Sequence, residues 1–318
     1  MSEARALLAD SAAKAFRDMP ADSAQARKRI DDAGFALLLV PEADGGFGGG
    51  WEDANAVLRA AGAAAVNLPL AEAIIANRFL PGAGGIAAAA SGALPEERFS
   101  GELHGVATRG GKVVAQIAEA IFGVSAGDAV GTREYQNMAG EPRADLKFDN
   151  AAIVRLSRNK MPGLFHLGAL ARTCQIAGAL ETALAMTIEH AKTRQQFGRA
   201  IGNFQAIQQQ LAVFASETAA VVAAAASACR AVDRGHGAFE IASAKLRANR
   251  AVDIATSAAH QIHGAIGITQ EHALHRYTQR LWAWKSEYGN DRHWAAKLGG
   301  GIAARGADAF WPALVARQ

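Results

Sequence analysis

Two short segments carry side chains suited to holding a dinucleotide. The first is Thr193-Arg194-Gln195-Gln196-Phe197-Gly198, with Phe204-Gln205 just beyond. Arg194 stands at the end of a long helical stretch that contains Cys174 and Gly178, and Phe197-Gly198 is expected to end that helix. Its guanidinium offers permanent charge and a planar fork matched to diphosphate oxygens. Eleven residues on, Gln205 enters the next helix, where its amide is placed to meet an adenine edge while Phe197 packs on the nucleotide. The second segment is Gln261-Ile262-His263-Gly264-Ala265-Ile266-Gly267, between two helices. Gly264, Ala265 and Gly267 let ligand atoms approach the backbone, and amides at the start of the following helix can face phosphate oxygens. His263 reads as a packing residue, with no second histidine at metal-binding spacing, so no metal site is expected. Taken singly, an arginine at a helix end is an ordinary cap and G-x-x-G an ordinary interhelical turn.

These segments need a helical frame, and the pattern supplies one. From about residue 3 to 80 the chain reads as helix, broken at Val40–Gly50, where Pro41 and five glycines prevent regular structure, and resumed over Glu52–Ala65. Between 81 and 160 short apolar runs separated by glycines read as strands, among them Val113-Val114-Ala115, Ala120–Val124 and Leu146-Lys147-Phe148. From Pro162-Gly163 onward the pattern is helical again. Phe204, Ile207, Leu211, Phe214 and Thr218 repeat at steps of three and four, as do Leu274, Tyr277, Leu281, Trp284 and Tyr288, each set marking one buried face. Alanines between them permit close helix packing. The expected class is mainly α with a small β-domain: an N-terminal helical domain over 1–80, a short middle β-domain over 81–160 and a C-terminal helical bundle over 161–318.

The bulk of the chain narrows its setting. At 318 residues it can bury a core without staples. Cys174 and Cys229, its two cysteines, lie in helical contexts without a C-x-x-C partner, so a reduced, cytoplasmic protein is expected. Charged residues throughout the first twenty positions argue against a signal peptide. No later run is read as a membrane span. A formal charge of +3, with scattered lysines and arginines, points away from nucleic acid.

In order, spacing and helical setting, R-Q-Q-F-G with its downstream glutamine and Q-I-H-G-A-I-G resemble the C-terminal domain of the acyl-CoA dehydrogenases, a four-helix bundle. The Ala33–Leu39 run into Pro41 and the glycines resembles the N-terminal helical domain of the same family. The resemblance implies FAD as cofactor, contacted by Arg194, Phe197, Gln205, Gln261, Gly264 and Ala265, the last standing where the family usually has a second glycine. It implies that these contacts reach an FAD held by a neighbouring subunit, hence a homo- or hetero-oligomer, a dimer or tetramer. It also implies an acyl-CoA substrate and an electron-transfer flavoprotein as acceptor.

The implied chemistry removes an α-proton from an acyl-CoA thioester and passes the β-hydrogen to flavin, which requires a carboxylate base. Counted forward from Gln261, the family's base position falls on Tyr288, before Gly289, and the glutamate is one residue early, at Glu287. Tyrosine, with an ordinary pKa near 10, is a poor base. Glu287 serves only if the helix unwinds around Gly289. The alternative family position, on the preceding long helix, is Gly168. Residues 81–160 are short and lack the family's ring-contacting segments. Three readings stay open: a small subunit that supplies FAD contacts across an interface, a self-sufficient dehydrogenase using Glu287, and a cofactor-free scaffold of the same fold.

Overall fold

Glycine and proline decide where the first helices stop. The computed structural model describes residues 3–17, 19, 23–107, 111–157 and 162–317, so the boundary expected between 160 and 161 lies outside the described residues. Helices α1 (Glu3–Phe16) and α2 (Ser23–Asp32) are followed by single 3-10 turns at Phe35–Leu37 and Glu42–Asp44, then by α3 (Trp51–Ala63) and α4 (Leu70–Phe79). α3 ends short of Ala65 because that residue takes a left-handed conformation, φ 50°.

The middle of the chain forms β1 (Ala83–Ala87), β2 (Ala89–Ala93), β3 (Arg98–Val106), β4 (Lys112–Ile117), β5 (Ala120–Ser125), β6 (Gly131–Gln136) and β7 (Pro142–Leu156). Their order is β1-β4-β5-β7-β3-β2, with β6 also on β7. β7 is the spine, antiparallel to β3, β5 and β6, and among the described residues only β1 and β4 pair in parallel. Phe99, Phe122 and Phe148 fill its core, with ring centroids 5.0 and 5.5 Å apart.

The remainder is α5 (Leu164–Thr193), a hairpin of β8 (Gln195–Gln196) and β9 (Arg199–Ala200), α6 (Gln205–Asp233), α7 (Ala238–His263), α8 (Leu274–Ser286), α9 (Asp291–Arg305) and α10 (Phe310–Val315). α5 is the axle, packed against α3, α6, α7 and α8. It touches α3 backbone to backbone: a β-carbon on Gly62 would lie 2.0 Å from the Gln175 carbonyl oxygen, and one on Gly178 1.9 Å from that of Arg59. Asp233, ending α6, caps the start of α3 by accepting from the Trp51 and Glu52 amides at 2.7 and 3.0 Å. α6 is long and apolar enough to cross a bilayer by length and composition; here it packs on α3, α5 and α7, and only 28% of its most apolar window is buried.

Candidate functional site

Where α5 stops, the chain does not simply turn. Arg194 caps α5, its amide donating to the His190 carbonyl at 2.9 Å, and its own carbonyl accepts from the Ile201 amide at 2.9 Å. Between them the β8–β9 hairpin projects outward. Phe197-Gly198, expected to end the helix, instead forms its two-residue tip, with φ of 53° and 77°. Two successive positive φ values match the twist of a tight hairpin, and the Phe197 ring stands edge-on to Phe204 with centroids 6.2 Å apart. Phe197 is 92% exposed.

The second segment meets the first beneath this hairpin. Ala191, Ile201 and Ile262 are buried together, with Phe204, Ile207 and Leu211 packed on them, so the ends of α5 and α7 share a small core. α7 ends at His263; Gly264, with φ 65°, breaks it, and Gly264–Ile268 continue as 3-10 turns. Arg194, Gln205, Gln261, Gly264 and Ala265 are all exposed around this core. Among the described residues nothing hydrogen-bonds or pairs with the side chains of Arg194, Gln205 or Gln261. Nearby, the Arg199 guanidinium lies over the Phe204 ring, 4.2 Å from its centroid. Unpaired donors around a backbone made of small residues fit the diphosphate and adenine half of FAD.

The base position has a different character. α8 stops at Ser286, and Tyr288 leaves the helical face expected for it, taking φ 53° before Gly289 at 97°. Its ring lies on α5 at Gly168, where a β-carbon would come within 2.5 Å of it. The two positions from which a base was sought are therefore packed against each other. Burial pushes the Tyr288 hydroxyl well above its ordinary value, so it is no base.

Glu287 turns the other way, into a buried ionic junction. Its Oε1 accepts from Arg143 Nη2 at 2.6 Å and from Asn137 Nδ2 at 3.0 Å, and its Oε2 from Arg172 Nε at 2.7 Å. Arg172 also donates to Glu72 of α4 and to Gln175. Arg143 and Asn137 donate to Glu141 at 2.9 and 2.8 Å, while Trp284 Nε1 donates to Glu141 and Arg280 lies 3.7 Å from it. Three carboxylates thus face three guanidiniums where the N-terminal helices, the β-domain and the bundle meet. Burial alone would raise the Glu287 pKa, but the charges of Arg172 and Arg143 and the bond from Asn137 outweigh it and hold it at about 2. At neutral pH such a carboxylate accepts protons poorly.

Next to this junction, the space enclosed by Asn67, Glu72, Ala107, Pro142, Arg143 and Arg172 measures about 20 Å³. That is room for about one water. A flavin ring and a thioester do not fit there. The residues around Arg194 suit one half of the cofactor, and the space beside Glu287 does not take the other. Sequence reasoning missed the junction because its members come from segments far apart in the chain. One signal was legible: Arg172 is the single charge between Leu164 and Leu180. Lys245 is a comparable case, fully buried and donating to Asn249 Oδ1 and to the Trp284 and Lys285 carbonyls at 2.6, 3.0 and 3.0 Å, which pins the end of α8. Burial lowers its pKa to about 7.

Comparison with known proteins bears on the same segments. The family model described as "Acyl-CoA dehydrogenase, C-terminal domain" matches residues 160–285. Acyl-CoA dehydrogenase IpdE2 of Mycobacterium tuberculosis is 31% identical over 260 residues, covering 80% of this chain and 79% of that protein. Among solved structures, the ChsE4-ChsE5 complex from Mycobacterium tuberculosis superposes with a TM-score of 0.82 at 23% identity, over 96% of this chain and 99% of that one. A Tcur3481-Tcur3483 steroid ACAD variant does so with 0.84 at 22% identity, over 95% and 98%. At these identities the two structures are likenesses of fold.

Proposed function

The chain belongs to the acyl-CoA dehydrogenase family, and on that premise we propose that it is the subunit that lends FAD contacts to a partner while the partner carries the flavin ring and the base. The family's activity is α,β-dehydrogenation of an acyl-CoA thioester with FAD. The observation that carries the subunit reading is the mismatch between the two halves of the site. Arg194, Gln205 and Gln261 stand exposed and unpaired, whereas the base position is filled by Tyr288 on Gly168 and Glu287 is tied to Arg143 and Arg172.

In this reading Arg194 binds the diphosphate, Gln205 the adenine edge, and Gln261 with the Gly264–Gly267 backbone the adjoining oxygens. When bound, FAD supplies the acceptor for the β-hydrogen. The chain's other contribution is apolar cover: Phe197, Ile266 and Ile268 are 92%, 45% and 71% exposed around the clamp. Such a rim suits a surface closed by a second protein chain.

The outward face of α6 favours assembly too. With α5 it forms an open apolar groove lined by Leu184, Ile188, Ala219, Val222 and Ala223, which fits a helix of another subunit. Two of the structural relatives are named as pairs of different proteins, which favours a hetero-oligomer here. One of them is named as a steroid enzyme, so a steroid-derived acyl-CoA is the first substrate to try. An electron-transfer flavoprotein is the proposed acceptor and the cytoplasm the proposed setting, consistent with two free cysteines.

The test is to purify the chain alone and together with an acyl-CoA dehydrogenase encoded beside it, and to measure flavin per complex. The reading predicts a colourless chain and a yellow complex that an acyl-CoA bleaches. A chain that is yellow by itself and bleaches with an acyl-CoA overturns it.

A further inference from the structure

Beneath the clamp lie three imidazoles that the proposed function does not use. His190 is one turn before Arg194 on α5, His263 is two residues after Gln261 on α7, and His272 lies in the loop leading to α8. His190 and His263 stack, with centroids 4.5 Å apart and planes 24° apart. His272 stands edge-on, 4.8 Å from His263 and 6.5 Å from His190. Among the described residues no group of histidines, cysteines or carboxylates is placed to hold a metal ion.

Hydrogen bonds set the protonation of two of the rings. His263 Nδ1 lies 2.8 Å from the Ala259 carbonyl, which can only accept, so Nδ1 carries the proton; Nε2 holds the lone pair and is buried without a partner. His272 Nδ1 accepts from the amide of Leu274, the first residue of α8, at 3.2 Å, and must be unprotonated to do so. The groups facing the stack from the elements around it are Arg194 beyond α5, His260 on α7 and His272 itself. Each is neutral or positive, so a proton added to the stack meets no compensating carboxylate among them.

We propose that this stack is the positioning strut of the FAD clamp: its neutral rings hold the end of α5 against the end of α7, and protonation in acid parts them and lets the cofactor go. The inference rests on the reading that Arg194 and Gln261 grip FAD. Protonation of His272 forfeits the Leu274 bond and sets a charge beside two rings. Burial, then the neighbouring His272 and Arg194, lower the His190 pKa; burial lowers that of His263 to about 4.

The test follows flavin retained by the complex from pH 8 to 5 in the wild type and in His272→Gln, His190→Gln and Arg194→Ala. The strut predicts acid release of flavin in the wild type, with a midpoint that moves in His272→Gln and in His190→Gln, where one ring of the stack is gone. Equal midpoints in wild type, His272→Gln and His190→Gln overturn it. If Arg194→Ala holds flavin as well as the wild type, the clamp reading falls instead. The strut is then judged on the isolated full chain by NMR. Backbone amides of Arg194 and Gln261 that shift with imidazole titration, and cease to do so in His272→Gln, uphold it; amides that ignore the titration overturn it.

Discussion

Arg194 and Glu287 are both charged side chains at helix ends, yet they have opposite fates. Arg194 is exposed and unpaired, so Arg194→Ala costs the fold little and is expected to weaken flavin binding about 10- to 100-fold, the range for losing charge-assisted hydrogen bonds. Flavin titration of the complex measures this. Glu287 is held by two arginines, so Glu287→Gln leaves buried cations uncompensated and is expected to destabilise the chain by about 3–5 kcal/mol. Because its pKa falls from an ordinary 4.5 to about 2 on folding, that stabilisation is fully present above pH 4.5 and is lost as pH drops toward 2. Thermal unfolding between pH 6 and 3 should show the gap between wild type and Glu287→Gln narrowing with acid. The two segments proposed as the clamp stood out in the sequence because each is a short run of neighbouring residues. The junction was not, because Glu72, Asn137, Arg143, Arg172 and Glu287 meet only after three regions fold together.

Helices declared themselves more clearly than their ends. The three-and-four repeat from Phe204 to Thr218 belongs to α6, because one buried face imposes that period. The same repeat ran too far at Tyr288, where Gly289 allows the chain to leave the helix and Gly168 makes room for the ring. The β8–β9 hairpin was hidden because Phe197 is not a residue that announces a left-handed turn. β2, β3 and β6 were hidden by glycine and exposed polar residues, which weaken the alternation a half-buried strand shows. Beyond Thr218 the sequence did not separate the inward face of α6 from its outward one, since alanine lies on both. If the outward face is an interface, Ala219→Glu with Ala223→Glu, both exposed, should dissociate the assembly while leaving helix content intact. Light scattering and circular dichroism together check this.

At the scale of the whole molecule, a mainly helical chain with a small β-domain was readable from the change in texture between its regions, and the fold bears that out. The division of labour was not readable from texture, since it depends on which cavities survive packing. The ionic junction ties the three regions together around Glu287, and the exposed Arg194, Gln205 and Gln261 lie at the end of the bundle. On the function proposed above, this chain holds the cofactor and its partner abstracts the proton. The most direct test is the rate at which an acyl-CoA bleaches the flavin of the complex carrying Glu287→Gln, normalised to flavin bound. A rate within about two-fold of wild type is expected, whereas a loss of about 10²- to 10⁴-fold, the usual contribution of a general base, would return the chemistry to this chain.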